Sequence, residues 1–96
     1  MGKPVVRLGD KSCGHECYPS RPNIEASENV FVNGRGVHRV GDEWEVHGCV
    51  QCRHGGRASS GSSTVFANGK AVCRVGDSID CGDVMCEGSE NVFVGD

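Results

Sequence analysis

Asn29–Asp42 reads NVFVNGRGVHRVGD, and Thr64–Asp77 reads TVFANGKAVCRVGD, 35 residues further on. Fragments of the same unit open and close the chain. VRLGD at Val6–Asp10 is its tail, and NVFVGD at Asn91–Asp96 is its head followed by a shortened tail. Three units are thus sampled in 96 residues, and a repeat found at this stage governs every local reading that follows. The stretches before the heads belong to it too: ASEN (Ala26–Asn29), GSST (Gly61–Thr64) and GSEN (Gly88–Asn91) share one frame.

Each of the two full units begins with a short β-branched and aromatic run followed by Asn-Gly. That pair suits a type I′ hairpin turn, which needs two residues at positive φ. With Asn33-Gly34 as the turn, Val32 faces Arg35, Phe31 faces Gly36 and Val30 faces Val37; in the second copy Phe66 faces Ala71 and Val65 faces Val72. A large ring opposite a small residue in both copies fixes the register, because a slip of one residue would break both pairings. Arg39–Asp42 and Arg74–Asp77 then end the strand, with Gly-Asp turning the chain.

Composition limits what such a chain can be. There are 15 glycines, five aromatic residues, one leucine (Leu8) and two isoleucines (Ile24 and Ile79). A single domain spanning residues 1–96 with so few apolar side chains needs a staple: a metal, disulfides or a partner. The formal net charge of −3 gives no electrostatic case for nucleic acid. No apolar run approaches a membrane span, and MGKPVVRLGD lacks the apolar segment of a signal peptide. No helical periodicity appears, since glycine interrupts every window of useful length. The expected class is all-β.

Seven cysteines and four histidines occur. An odd count, with no secretory signal, points to reduced thiols and favours metal ligation over a disulfide framework. Counting from each Gly-Asp, His15 and His47 both lie five residues on, and Cys81 lies four residues on. If the units surround an axis, these donors converge, and His54 supplies a fourth; three His and one Cys make a closed structural zinc set. A second set draws on Cys13, Cys17, Cys49 or Cys52, since Cys49-Val50-Gln51-Cys52 is a CxxC. A redox use of that pair lacks a surrounding βαβ pattern. His38 and Cys73 share one hairpin position and read as packed residues, as does Cys86. Trp44 reads as a core or base anchor, and Asp10, Asp42 and Asp77 as turn residues. Ser59–Ser63 lacks the strand-turn-helix setting of a nucleophile elbow. No catalytic pair is visible.

The pieces VFVNG, RVGD, GSST and GSENVFVG resemble the PAAR-repeat family over essentially the whole chain, although Arg39 and Arg74 are all that remains of the naming Pro-Ala-Ala-Arg. RPNIEASENVFVNG and VHRVGD are most similar to its small stand-alone phage and prophage members. The resemblance implies a small cone of short β-hairpins in pseudo-threefold arrangement. It implies one structural zinc ion near the apex on His15, His47, His54 and Cys81. It further implies a non-enzymatic tip that caps the trimeric β-helical spike of a phage baseplate or type VI secretion system, one copy per trimer, and that meets the target outer membrane transiently. Such a chain is expected to be made in the bacterial cytoplasm, to be a monomer alone and to be a bare tip with no toxin extension. The alternative is a small zinc-binding redox or metal-dependent enzyme using Cys49 and Cys52.

Overall fold

The computed structural model describes residues 2–50 and 52–95. No helix occurs among them. The strands are β1 (Lys3–Pro4), β2 (Phe31–Val32), β3 (Arg35–Gly36), β4 (Glu43–Cys49), β5 (Cys52–Arg57), β6 (Phe66–Ala67), β7 (Lys70–Ala71) and β8 (Phe93–Val94). They pair antiparallel as β1-β8, β2-β3, β4-β5 and β6-β7. The molecule is elongated, 38 × 26 × 21 Å.

The two Asn-Gly hairpins have the register expected from the sequence. Phe31 pairs with Gly36 and Val32 with Arg35; Phe66 pairs with Ala71 and Ala67 with Lys70. Asn33 and Gly34 have φ of 55° and 77°, and Asn68 and Gly69 have 57° and 77°, the left-handed pair that a type I′ turn demands. The third hairpin is built from the two ends of the chain. Lys3 pairs with Val94 and Pro4 with Phe93, so Lys3 takes the place of Arg35 and Lys70.

Three strands then meet in a closed ring. The Val6 N–H donates to the Cys73 carbonyl, the Cys73 N–H to the His38 carbonyl and the His38 N–H to the Val6 carbonyl, each at 3.0 Å. Bridges Val5–Arg74, Arg7–Val37 and Arg39–Val72 extend the ring outward. Val6, His38 and Cys73 are fully buried at this pseudo-threefold centre. Successive strand side chains point to opposite faces, so the ring separates two cores. On one face Val5, Val37 and Val72 pack with Ala67, Val32, Val92 and Val94 of the hairpins. On the other, Val6 and Cys73 pack with Trp44, Ala58, Ile79 and Met85 of the loops.

Arg-x-Gly-Asp closes each unit beyond the ring. Gly9, Gly41 and Gly76 have φ of 87°, 94° and 96°, and the N–H of Asp10, Asp42 and Asp77 donates to the carbonyl of Arg7, Arg39 and Arg74 at 2.9–3.0 Å. Positive φ at the third residue makes a type II turn, for which glycine is the fitting residue. The aspartates do more than the turn role read from the sequence. Each receives both the backbone N–H and the guanidinium of its own arginine. Ahead of each head strand a buried serine (Ser27, Ser62 or Ser89) accepts the N–H groups two and three residues on. This is why the ASEN, GSST and GSEN stretches share a frame: the hydroxyl satisfies the backbone where the strand begins.

The Glu43–Ser60 stretch, without repeat counterpart in the sequence, contains the longest sheet. β4 and β5 form a hairpin in which a bulge between Trp44 and His47 shifts the register, setting His47 opposite His54 and Cys49 opposite Cys52. Without that extra residue, Arg53 would face His47. Trp44 is buried in the loop-side core.

Candidate metal centre

Three loops leave the three Gly-Asp turns on the loop side of the ring. The first carries His15, the second is the β4-β5 hairpin with His47 and His54, and the third carries Cys81. The structure brings these four together: one donor atom from each lies within 4.8 Å of all the others. The Nε2 atoms of His15 and His47 are 3.3 Å apart, those of His15 and His54 3.1 Å, and those of His47 and His54 2.6 Å.

The surroundings orient these atoms. His47 Nδ1 is 2.8 Å from the Pro19 carbonyl. A carbonyl accepts only, so Nδ1 carries the proton and Nε2 presents a lone pair. Burial, with His47 and His15 alongside, holds His54 below the ordinary histidine value. Three ring nitrogens facing each other cannot all satisfy one another by hydrogen bonds, whereas a cation between them engages every lone pair. Three imidazoles and one thiol sulfur fit a closed tetrahedral zinc site.

Two residues that sequence reasoning passed over support the donors. Arg21 is buried and reaches several partners, Ser12 Oγ at 3.4 Å among them. Its Nη2 donates to Cys81 Sγ at 3.3 Å, Nη1 to Asp83 at 2.7 Å and Nε to the Glu45 carbonyl at 2.8 Å, while the group lies 5.4 Å from the Trp44 ring centre. Burial acts to raise the Asp83 carboxyl, but hydrogen bonds from Ser12 and the Val84 N–H and the nearby Arg21 charge bring it below the usual range. Tyr18 stacks on His54 at 4.2 Å and on His15 at 4.9 Å. It sits there because residues 15–18 form a tight turn, with hydrogen bonds in both directions between His15 and Tyr18. A ring three residues after a candidate histidine was the available signal for Tyr18; Arg21 had none.

The cysteines depart from the expectation of reduced thiols. Cys13 is bonded to Cys86, and Cys17 to Cys49. Cys13, Cys17 and Cys49, weighed as alternative ligands, are therefore committed elsewhere, and Cys86 is an exposed bridge member and no buried hydrophobe. The reason is tertiary. Cys17 and Cys49 both stand seven residues past a Gly-Asp, so the pseudo-threefold places their Cα atoms 5.4 Å apart, within disulfide reach. Backbone bonds from Cys13 to Val84 and from Cys86 to Lys11 bring the other pair alongside. Cys52 is free and exposed, and Cys73 is free and buried as read from the sequence. Burial pushes the Cys73 thiol up, and His38 below the ordinary histidine value.

The family model for the PAAR motif matches residues 14–87, a span that contains all four donors. This chain belongs to the PAAR-motif family. None of the curated proteins compared with it matches. PAAR membership carries a spike-tip role in contractile injection or type VI secretion machines, a structural role for the fold. No helix among the described residues is long and apolar enough to cross a membrane.

Proposed function

We propose that this PAAR chain is a non-enzymatic, metal-stapled tip that caps a trimeric β-helical spike, one copy per trimer. The observation that carries the reading is the placement of Phe31, Phe66 and Phe93. They occupy the same position in the three hairpins and are 59%, 57% and 54% exposed. Three like apolar side chains around a pseudo-threefold axis, on the side of the ring away from the donor loops, suit a threefold partner better than any lone ligand. In the Val30–Val37 and Val65–Val72 pairs, Val30 and Val65 are 38% and 39% exposed. Val37 and Val72 are covered by the hairpin-side core, and the phenylalanines are the larger exposed groups.

Zinc on His15, His47, His54 and Cys81 would crosslink three loops that share a small core, and would leave no ligand position for water. Metal binding of this kind counts toward folding, which suits a part that must stay rigid under load. Burying the exposed half of each of the three rings would add roughly half of the 1.5–3 kcal/mol that full burial of such a side chain gives, in an interface of about 800 Å² per partner. The enzyme alternative built on Cys49 and Cys52 gains no support, because Cys49 is bonded to Cys17.

Native mass measurement of this chain mixed with a trimeric β-helical spike end tests the reading. Three spike chains to one tip is the expected composition. Three to three, or a stable homotrimer of the tip by itself, would overturn it.

A further inference from the structure

Three sulfur atoms gather beside the candidate metal centre. Cys17 and Cys49 form a disulfide. Cys52 stands directly opposite Cys49 in the β4-β5 ladder, and directly opposite residues of an antiparallel pair project to the same face with Cα atoms about 4.5–5.5 Å apart. That spacing lies in the disulfide range. Burial raises the Tyr18 hydroxyl, and the nearby Cys52 thiol adds to that shift, so Cys52 lies beside the residue that follows Cys17. Cys52 is an exposed free thiol.

The bridge has a particular relation to the donors. Cys17 is two residues after His15 and Cys49 two residues after His47. The Cys17–Cys49 bond therefore ties the first loop to β4 just beyond the two histidines that face each other at 3.3 Å. The alternative bond, Cys49–Cys52, would only close β4 onto β5, which the ladder already pairs, and would leave the first loop, still held by Cys13–Cys86, with no covalent tie to β4.

We propose that Cys17, Cys49 and Cys52 form a thiol–disulfide exchange site whose two pairings differ in whether a covalent bond ties the His15 loop to the His47 strand; the coupling to metal rests on the function proposed above. In the exchange, Cys52 gives up its proton and its sulfur attacks Cys49 Sγ. The Cys49–Cys52 bond forms and the Cys17–Cys49 bond breaks. Cys17 leaves with the electron pair and takes up the proton. One disulfide and one thiol are present before and after, so no oxidant or reductant is consumed. Metal bound by His15 and His47 favours the Cys17–Cys49 pairing, because only that pairing joins the two histidine-bearing segments by a covalent bond.

Disulfide mapping tests this. The whole protein, loaded with zinc or stripped by a chelator, is held without oxygen at mildly alkaline pH, quenched, alkylated, digested and mapped by mass spectrometry. Zinc-loaded protein should carry the alkyl label on Cys52. Stripped protein should show the label on Cys17 rising several-fold, with a Cys49–Cys52 crosslink appearing. Cys52→Ser should show the Cys17–Cys49 crosslink under both conditions. Stripped wild-type protein labelled on Cys52 alone would overturn the exchange. Cys17 labelled equally in both samples would uphold the exchange and overturn the metal coupling, and a separate zinc assay of the same samples would tell whether the metal reading itself has failed.

Discussion

Arg39 folds back over its own turn onto Asp42, which accepts its backbone N–H at 2.9 Å and its guanidinium at 2.9 and 3.0 Å. The carboxylate is fully buried and the arginine nearly so. Arg39 also donates from Nη1 to Asn68 in the neighbouring hairpin at 2.9 Å, as Arg7 does to Asn33. The pair thus fixes a turn and fastens one unit to the next.

Truncating Asp42 should therefore cost more than a surface ion pair. Asp42→Ala leaves a buried guanidinium and a backbone N–H without their acceptor, a loss of about 3–5 kcal/mol. Urea unfolding of the metal-loaded variant measures it. A loss below about 1 kcal/mol, the range of exposed pairs, would show that the clamp is ornamental.

His47→Ala should abolish tight zinc binding while leaving the two Asn-Gly hairpins in place. His47 Nε2 is the atom nearest His54, and its Nδ1 is anchored on Pro19. Metal content after gel filtration, read beside the thermal midpoint, checks both halves. Full zinc content in the variant would remove His47 from the ligand set.

Phe66→Ser should weaken docking onto a spike without weakening the fold. More than half of the Phe66 surface is exposed, and surface changes of this sort usually stay within about 0.5 kcal/mol in stability. Replacing all three phenylalanines should abolish the complex. Unchanged affinity in the triple variant would point the docking face elsewhere.

Acid should weaken the ring through His38. Its Nδ1 lies 2.7 Å from the Glu25 carbonyl and its Nε2 has no partner; burial lowers its proton affinity, against opposing contributions from that carbonyl and from Asp42. The unfolded chain then binds the proton more readily than the folded one. Stability is complete above the ordinary histidine value and falls with pH below it, by about 1.4 kcal/mol per pH unit, until the lower folded value is reached. His38→Val, which installs the residue found at the equivalent position Val6, should flatten this slope. Identical slopes in zinc-free samples of both proteins would exclude His38 as the source.

Much of this was legible in the residues. The Asn-Gly turns and the alternation of large and small residues set the hairpin register, because turn chemistry and a period of two act within a few residues. The offsets of His15, His47 and Cys81 from Gly-Asp pointed to one convergence. Sequence could not show that Lys3–Pro4 and Phe93–Val94 complete the third hairpin, since that pairing joins the two ends of the chain. Nor could it select Cys13–Cys86 and Cys17–Cys49 among the pairings open to seven cysteines, because those contacts exist only after the ring has closed. Arg21 is the clearest case: an arginine in a loop by sequence, it becomes the link between Cys81, Asp83 and β4 because ring closure stacks all three loops around it and leaves its charge no route to water.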